Sequence, residues 1–447
     1  MGSPSKIRFF RVLLRHELRR IFAGKSYWAM FFVLTLLTGY SYIEAVQLFG
    51  LASKTALESP ELAAGMNPLD GIMVPTLGAL YLTTTLLFPF VAIRALGQDK
   101  ESGALQLSLQ CLAPSSLVFI KLLAVLIAWG SCLVVALAAI AHWLIAGGHL
   151  ALPEVVNLFC GHALYALVVT GIAFFAVSIT ESSATAAIVT LAFTLGFWVL
   201  DFASSTGGGF VASVGEYSPT QVLRQFERGL FHLPYVLALA SFGLGAAAVA
   251  AQCIHPGGRK TDALRRGAGI VLCLFAIFIV SPHIRYYRDI SEDSRNSFSP
   301  TDAEALSRMD KGLVINIHLT PEDSRARDYS FNVLSKLKRL VPGVTVQWAD
   351  RIGLFAAAND ERYGLIVYEY DGAVAESRSN SPGEILPLLY GLAGLKVEPS
   401  IVPHYGGYPL MADVQSAYVI FYGLLPFCAL FSMYGFSRTG RSPKHLT

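Results

Sequence analysis

Charge is what this sequence has least of. Only 15% of its 447 residues are Asp, Glu, Lys or Arg, and 54% are hydrophobic, whereas a soluble domain carries about 25% charged residues. The shortage is uneven, and whole runs of about 20 residues have no charge, the length of helix that crosses a hydrocarbon core about 30 Å thick. The net charge of +3 is too small to argue for nucleic acid. Cysteine pairs are also missing. Cys111, Cys132, Cys160, Cys253, Cys273 and Cys428 form no C-x-x-C, and most stand in apolar runs, as small buried hydrophobes do. Residues 283–413 have no cysteine, so disulfides give no clue to compartment. A phosphate-binding loop, G-x-x-x-x-G-K-[ST], is absent. The nearest match, Gly24-Lys25-Ser26, has Arg19 where the first glycine belongs and no strand before it. Neither H-E-x-x-H nor G-x-S-x-G occurs. These absences speak against an enzyme with its own nucleotide, metal or activated nucleophile.

What is present is a series of apolar runs. They predict about eight spans, at residues 27–46, 72–93, 117–146, 155–179, 185–202, 233–252, 267–280 and 414–436. The expected fold class is an α-helical polytopic membrane protein with an inserted small α/β extracytoplasmic domain. Its segments are an amphipathic interfacial helix (1–26), a six-span domain (27–254), a basic loop with the seventh span (255–282), the inserted domain (283–413), and the last span with a basic tail (414–447). The first run is read as a retained span, since no small-x-small cleavage site follows it closely. Ahead of it, Ile7, Phe10, Leu14, Leu18 and Ile21 recur at helical spacing, while Arg8, Arg11, Arg15 and Arg19 fill the other faces, a pattern suited to an anionic membrane surface. Pro75, Pro89 and Pro426 predict kinks. His142 and His162 are expected to bond to neighbours rather than to relay protons, and Glu44 and Asp201 to sit near the outer ends of spans.

Lys and Arg in short loops set orientation. One side collects the basic N-terminus, Arg94, Lys100, Arg259, Lys260, Arg265, Arg266, Arg438, Arg441 and Lys444, while the other holds Lys54, Arg224 and Arg228. Both termini are therefore expected in the cytoplasm and residues 283–413 outside it. Within that segment, residues 312–319 alternate like a strand, and 325–340 have helical periodicity with Tyr329, Val333, Leu337 and Leu340 on one face. Residues 344–348 and 363–370 read as further strands, 373–378 as a hairpin partner across Asp371-Gly372, and 384–395 as a helix. His318, Asp350 and His404 are isolated in sequence and form no metal motif.

The loop between the second and third spans is the most informative. It contains Asp99-Lys100-Glu101-Ser102-Gly103-Ala104-Leu105, then Pro114 and Lys121, and reads as a short helix, charged at its start and apolar after Gly103. Such a helix is marginal alone and must dock on something. Glu101, Gly103, Leu105, Pro114 and Lys121 resemble the cytoplasmic loop of type-2 ABC exporter permeases. Ala104 stands where that family has Thr, and Ile120 where it has Gly. A second stretch, from Tyr217-Ser218-Pro219 to Phe226-Glu227-Arg228-Gly229, is similar to that of gliding-motility-type permeases at Ser218, Phe226, Arg228 and Gly229. Residues 312–323 and 363–372 resemble the exterior domain of the companion gliding-type protein.

The resemblance implies a permease subunit, most simply of an exporter, in a bacterial inner membrane. It implies coupling to a separate cytoplasmic ABC ATPase through Asp99, Lys100, Glu101, Gly103, Leu105, Pro114 and Lys121, with the loop 180–183 as a second contact. Ser218, Phe226, Arg228 and Gly229 would belong to an external or re-entrant helical pair. This chain would bind no cofactor; ATP and Mg would be used by the ATPase. The implied partners are that ATPase, a second permease copy or a homologous permease, membrane lipids, and a periplasmic protein docking on 283–413. The rival expectation is a membrane-anchored scaffold that presents the α/β domain to an envelope partner without transport.

Overall fold

A computed structural model of the chain describes residues 6–206, 214–215, 217–255, 260–281, 284, 286–320, 323–348, 362–397 and 405–439. It divides into two compact units, one of residues 1–201, 213–286 and 406–447 and one of residues 202–212 and 287–405.

The first unit is helical. Its elements are α1 (Lys6–Ala23), α2 (Lys25–Glu58), α3 (Leu69–Glu101), α4 (Ala104–Cys111), α5 (Pro114–Ile145), α6 (Leu152–Ile179), α7 (Ser183–Thr206), α8 (Pro219–Glu227), α9 (Leu233–Cys253), α10 (Lys260–Val280) and α14 (Gln415–Phe436). Among the described residues, seven helices are long and apolar enough to cross a bilayer: α2, α3, α5, α6, α7, α9 and α14. The chain is a multi-pass membrane protein. The remaining expected span, 267–280, is helical within α10, and some of its side chains lie outside the described ones. Gly24 takes an extended conformation and separates α1 from α2 by one residue. At 34 residues, α2 is about 51 Å long, well beyond the hydrocarbon core.

The prolines sit where the helices depart from regularity. A π turn at Leu69–Met73 precedes Pro75, and another at Ile420–Leu424 precedes Pro426. In each case the residue four before the ring, Gly71 or Tyr422, lies inside the π turn, which eases the ring–carbonyl clash. Leu87 breaks α3 just before Pro89. Small residues set the closest helix contacts. A Cβ on Gly171 of α6 would stand 2.2 Å from the Gly243 carbonyl oxygen of α9, and one on Gly39 of α2 would stand 2.4 Å from Phe421 Cβ of α14. His142 of α5 joins the same end of the chain to the bundle. Its Nδ1 lies 2.7 Å from the Tyr42 hydroxyl and its Nε2 2.8 Å from Ser416 Oγ.

The second unit is a four-stranded sheet with helices. In chain order it has α11 (Pro300–Ser307), β1 (Leu313–Ile317), a helix in three consecutive pieces, Ser324–Tyr329, Ser330–Leu334 and Ser335–Leu340 (together α12), then β2 (Thr345–Trp348), β3 (Ile366–Tyr370), β4 (Ala373–Ser377) and α13 (Pro382–Ala393). The strand order is β2-β1-β3-β4. β1 and β2 are parallel, with Val314 opposite Thr345, and β1 and β3 are antiparallel, with Ile315 opposite Tyr368. Leu313, Ile315 and Ile317 are buried, as their alternation predicts, and Tyr329, Val333 and Leu337 cover them from α12. α11 was not apparent from periodicity. Ser299 caps it by accepting from the Asp302 amide, and the Tyr390 hydroxyl donates to Asp302 Oδ1 at 2.6 Å. Lys336, also buried, donates to the Ser297 carbonyl and lies over the Phe298 ring, and burial pushes its ammonium down to about 8. Asp350 and His404 lie outside the described residues.

The β3–β4 turn uses Asp371 at φ 52° and Gly372 at φ 81°, the pair of left-handed residues that a two-residue hairpin requires. Gly372→Val should cost the hairpin about 1–2 kcal/mol through the left-handed penalty. The expected outcome is faster amide exchange across β3 and β4, with the amides of α6 unchanged.

Candidate functional site

Residues 95–101, the last turns of α3, collect contacts from four other helices. The centre is Lys121 of α5, with no solvent exposure. Its Nζ donates to Glu17 Oε1 of α1 at 2.8 Å and to the Ala95 carbonyl at 2.9 Å, and stands 2.6 Å from Asp99 Oδ2. Arg20 of α1 donates to Asp99 Oδ1 and, at 2.6 Å, to the Ala95 carbonyl, while its Nη2 lies 3.4 Å from Glu17 Oε2. Two carboxylates thus face two cations, with Glu17 3% and Asp99 6% exposed. A buried charge persists only when it is paired and hydrogen-bonded in this way. The knot fixes α1 against α3 and α5.

The next two residues reach the opposite way. The Lys100 ammonium donates to the carbonyls of Val177 at 2.9 Å, Ser178 at 3.3 Å and Thr180 at 2.6 Å. Those are the carbonyls that the end of α6 leaves unpaired, at the negative pole of the helix. Glu101 Oε1 accepts from the Ser183 amide at 2.9 Å and the Ser183 hydroxyl at 2.6 Å. Ser183 opens α7, so an anion meets the positive pole. Adjacent residues of α3 therefore hold both helix ends that flank residues 180–183. Gly97 allows the approach, since a Cβ there would stand 2.7 Å from Ser183 Oγ.

Asp99, Lys100 and Glu101 close the α3 span, whereas the sequence pattern had put them at the start of a separate short helix. The reason is continuity: no proline separates Arg94 from Glu101, Gly97 stays within the helix, and the chain first turns at Gly103, whose φ is +77°. The short helix is α4. It buries Leu105 and exposes Gln106, Leu107 and Gln110, with Leu107 67% exposed. Pro114 sits in the first turn of α5, where its missing amide costs nothing. Of the seven residues expected to couple, Asp99 and Lys121 are enclosed and offer no surface to a partner, while Glu101 and Gly103 are exposed.

The second stretch lies on α8 and does not join this cluster. Ser218 precedes the helix and its Oγ is 2.8 Å from Thr220 Oγ1. Phe226 is fully buried against α6, with its carbonyl accepting from Asn157 Nδ2 at 2.9 Å. A Cβ on Gly161 would come within 2.5 Å of Phe226 Cβ, so that glycine makes the seat for the ring. Gly229 ends the helix at φ +81°, and Arg228 is exposed. His162 Nε2 lies 3.9 Å from Glu227 Oε1, and Arg224 Nη2 lies 3.6 Å from Asp201 Oδ2. Of the expected helical pair, α8 is described, and most residues just before it lie outside the described ones.

Sequence reasoning missed Glu17 and Arg20; Ser183 entered it only as the end of the loop 180–183 expected to meet a partner. A signal existed for the first: Glu17 is the one acid in α1 and shares the stripe of Leu14, Leu18 and Ile21. A lone acid on the apolar face of a basic helix needs a buried cation.

Lys121→Met leaves two carboxylates buried with only Arg20 between them, and should cost about 3–5 kcal/mol. Adding Glu17→Gln and Asp99→Asn should restore most of that loss, because the three sites share one network. Thermal unfolding of the detergent-solubilised protein reads both outcomes. No protein-family model matches the chain, and no curated protein or solved structure matches it either. The geometry establishes a polytopic α-helical membrane protein that carries a small inserted α/β unit.

Proposed function

We propose that this chain is the permease subunit of an ABC-type exporter, driven by a separate cytoplasmic ATPase. The observation that carries the reading is the Lys100–Glu101 clamp. An ATPase seated on α4 and on residues 180–183 would press on the end of α3, from which α4 follows at Gly103 and which three lysine bonds and two glutamate bonds tie to the ends of α6 and α7. The contact surface is the exposed side of α4, with Leu107 at its centre, together with the exposed Glu181 and Ser182. Asp99 and Lys121 act behind it as positioning residues. They pass a displacement of α3 to α1 and α5 through paired charge. A push on the clamp shifts the span packing only insofar as the ATPase binds the two packings with different affinity.

In this orientation α1 lies along the cytoplasmic surface, with Arg11, Arg15 and Arg19 exposed toward anionic lipid. The unit of residues 287–405 faces the other side. A pair of copies, or this chain with a homologous permease, would enclose the path. The motifs shared with type-2 exporter permeases support the reading, as does the absence of a phosphate loop in the sequence.

The test is purification of the full-length chain from its native membranes with its associated ATPase, followed by reconstitution. Leu107→Asp should lower ATPase recovery severalfold. Glu101→Ala should leave recovery near wild type but lower transport-linked ATP hydrolysis severalfold. A chain that brings down no ATP-hydrolysing subunit, or whose hydrolysis ignores both substitutions, is a scaffold rather than a permease.

A further inference from the structure

A cavity of about 460 Å³ lies between α6, α7, α9 and α10, with Tyr217, Ser218 and Pro219 also part of its lining. Its wall is formed mainly by Phe175, Phe193, Phe197, Leu239, Phe242 and Phe275. Among the described residues, no charged side chain lines it. The wall's hydroxyls are already engaged: Ser241 donates to the Ala238 carbonyl at 3.0 Å, and Ser218 shares a hydrogen bond with Thr220. Tyr217 packs edge-on against Tyr235 at 5.6 Å.

Three features decide what fits. The first is polarity. A buried water needs two to four polar partners, and an apolar cavity of even about 150 Å³ stays dry and takes up a hydrocarbon instead. Ordinary solutes need a few convergent polar groups for orientation, and among the described lining residues only the Tyr217, Ser218 and Ser241 hydroxyls are polar. The second is length. Along α9 the lining runs from Ala238 to Val249, a rise of about 16 Å. One leaflet of a hydrocarbon core about 30 Å thick is about 15 Å deep. The third is rigidity. α6 and α9 touch backbone to backbone at Gly171 and Gly243, and a Cβ on Gly245 would stand 2.4 Å from Leu274 of α10. With those contacts at their limit, the walls are not free to close on the space.

We infer that this cavity is a binding site for one hydrocarbon chain of an amphipathic lipid, lying along α9. The site is independent of whether an ATPase drives the protein. If the permease reading holds, the site makes a lipid-bearing molecule the substrate class or an obligatory ligand of the spans.

The experiment uses the full-length protein in nanodiscs without any ATPase, so its outcome is separate from that of the transport test. Two probes are compared, a fatty acid and a phospholipid, each with a diazirine in one acyl chain. The expected result is labelling of the peptides carrying Phe193, Phe242 and Phe275 that saturates near one chain per protein. Unlabelled lipid of the same class should compete it away. Ala246→Trp, which fills the cavity, should abolish that labelling, and Leu137→Trp on the exposed side of α5 should not. Preference for one probe identifies whether the chain arrives as free acid or as phospholipid. Labelling that rises without saturation, or that is equal in Ala246→Trp and wild type, would overturn the inference. Saturation and competition are read on wild type, so they decide the question even if the tryptophan variant does not fold. Loss of a dimer in Ala246→Trp with labelling unchanged would instead make the cavity a subunit interface and overturn it equally.

Discussion

A lysine ammonium sealed from solvent imposes the constraint on which the first unit depends. Lys121 pairs with both Glu17 and Asp99, and removing a partner from such a buried cluster would cost several kcal/mol. Those residues come from α5, α1 and α3, so the charge balance dictates that the three helices meet at one place. Arg20 completes the pairing and ties both partners to the Ala95 carbonyl. Once the end of α3 is fixed there, Lys100 and Glu101 fall at the ends of α6 and α7, and five helices share one short segment.

The arrangement has a mechanical consequence. Apolar helices in a bilayer gain little from hydrophobic association, because lipid tails are as apolar as their side chains; close packing and polar contacts hold them instead. Here the charged cluster sits at one end of α5, while neutral polar contacts such as Tyr42–His142–Ser416 and Thr85–Tyr165 lie elsewhere along the spans. Along the spans, the tight contacts are glycine contacts: Gly39 on Phe421, Gly161 on Phe226, Gly171 on Gly243. The charged end would move as a body, and the glycine contacts hold the spans at close approach. The cavity lies beside the close contacts of Gly243 and Gly245.

Much of this could be read from the residues alone. Runs of uncharged residues located the spans, because hydrocarbon thickness sets a length that no other constraint mimics. Alternation located β1, and Asp371-Gly372 located the hairpin, because both patterns follow from backbone geometry. The charged knot was not visible in the same way. Asp99, Lys100 and Glu101 look alike in sequence, yet Asp99 turns toward α1 and α5 while Lys100 and Glu101 turn toward α6 and α7. That division depends on which helix end lies on each side, and spacing carries no record of it. The cavity was equally invisible, since its lining comes from four helices with no common motif.

The central claim is that Lys100 and Glu101 fix the end of α3, and with it the start of α4, to the helix ends that flank residues 180–183. It is tested most directly by spin labels at Leu107→Cys and Ser182→Cys, on a background with the six native cysteines replaced, and by pulsed electron–electron resonance. A single narrow distance distribution in the otherwise native chain, broadened when Lys100→Ala and Glu101→Ala are introduced together, is the predicted result. Distributions of equal width with and without those two side chains would contradict it.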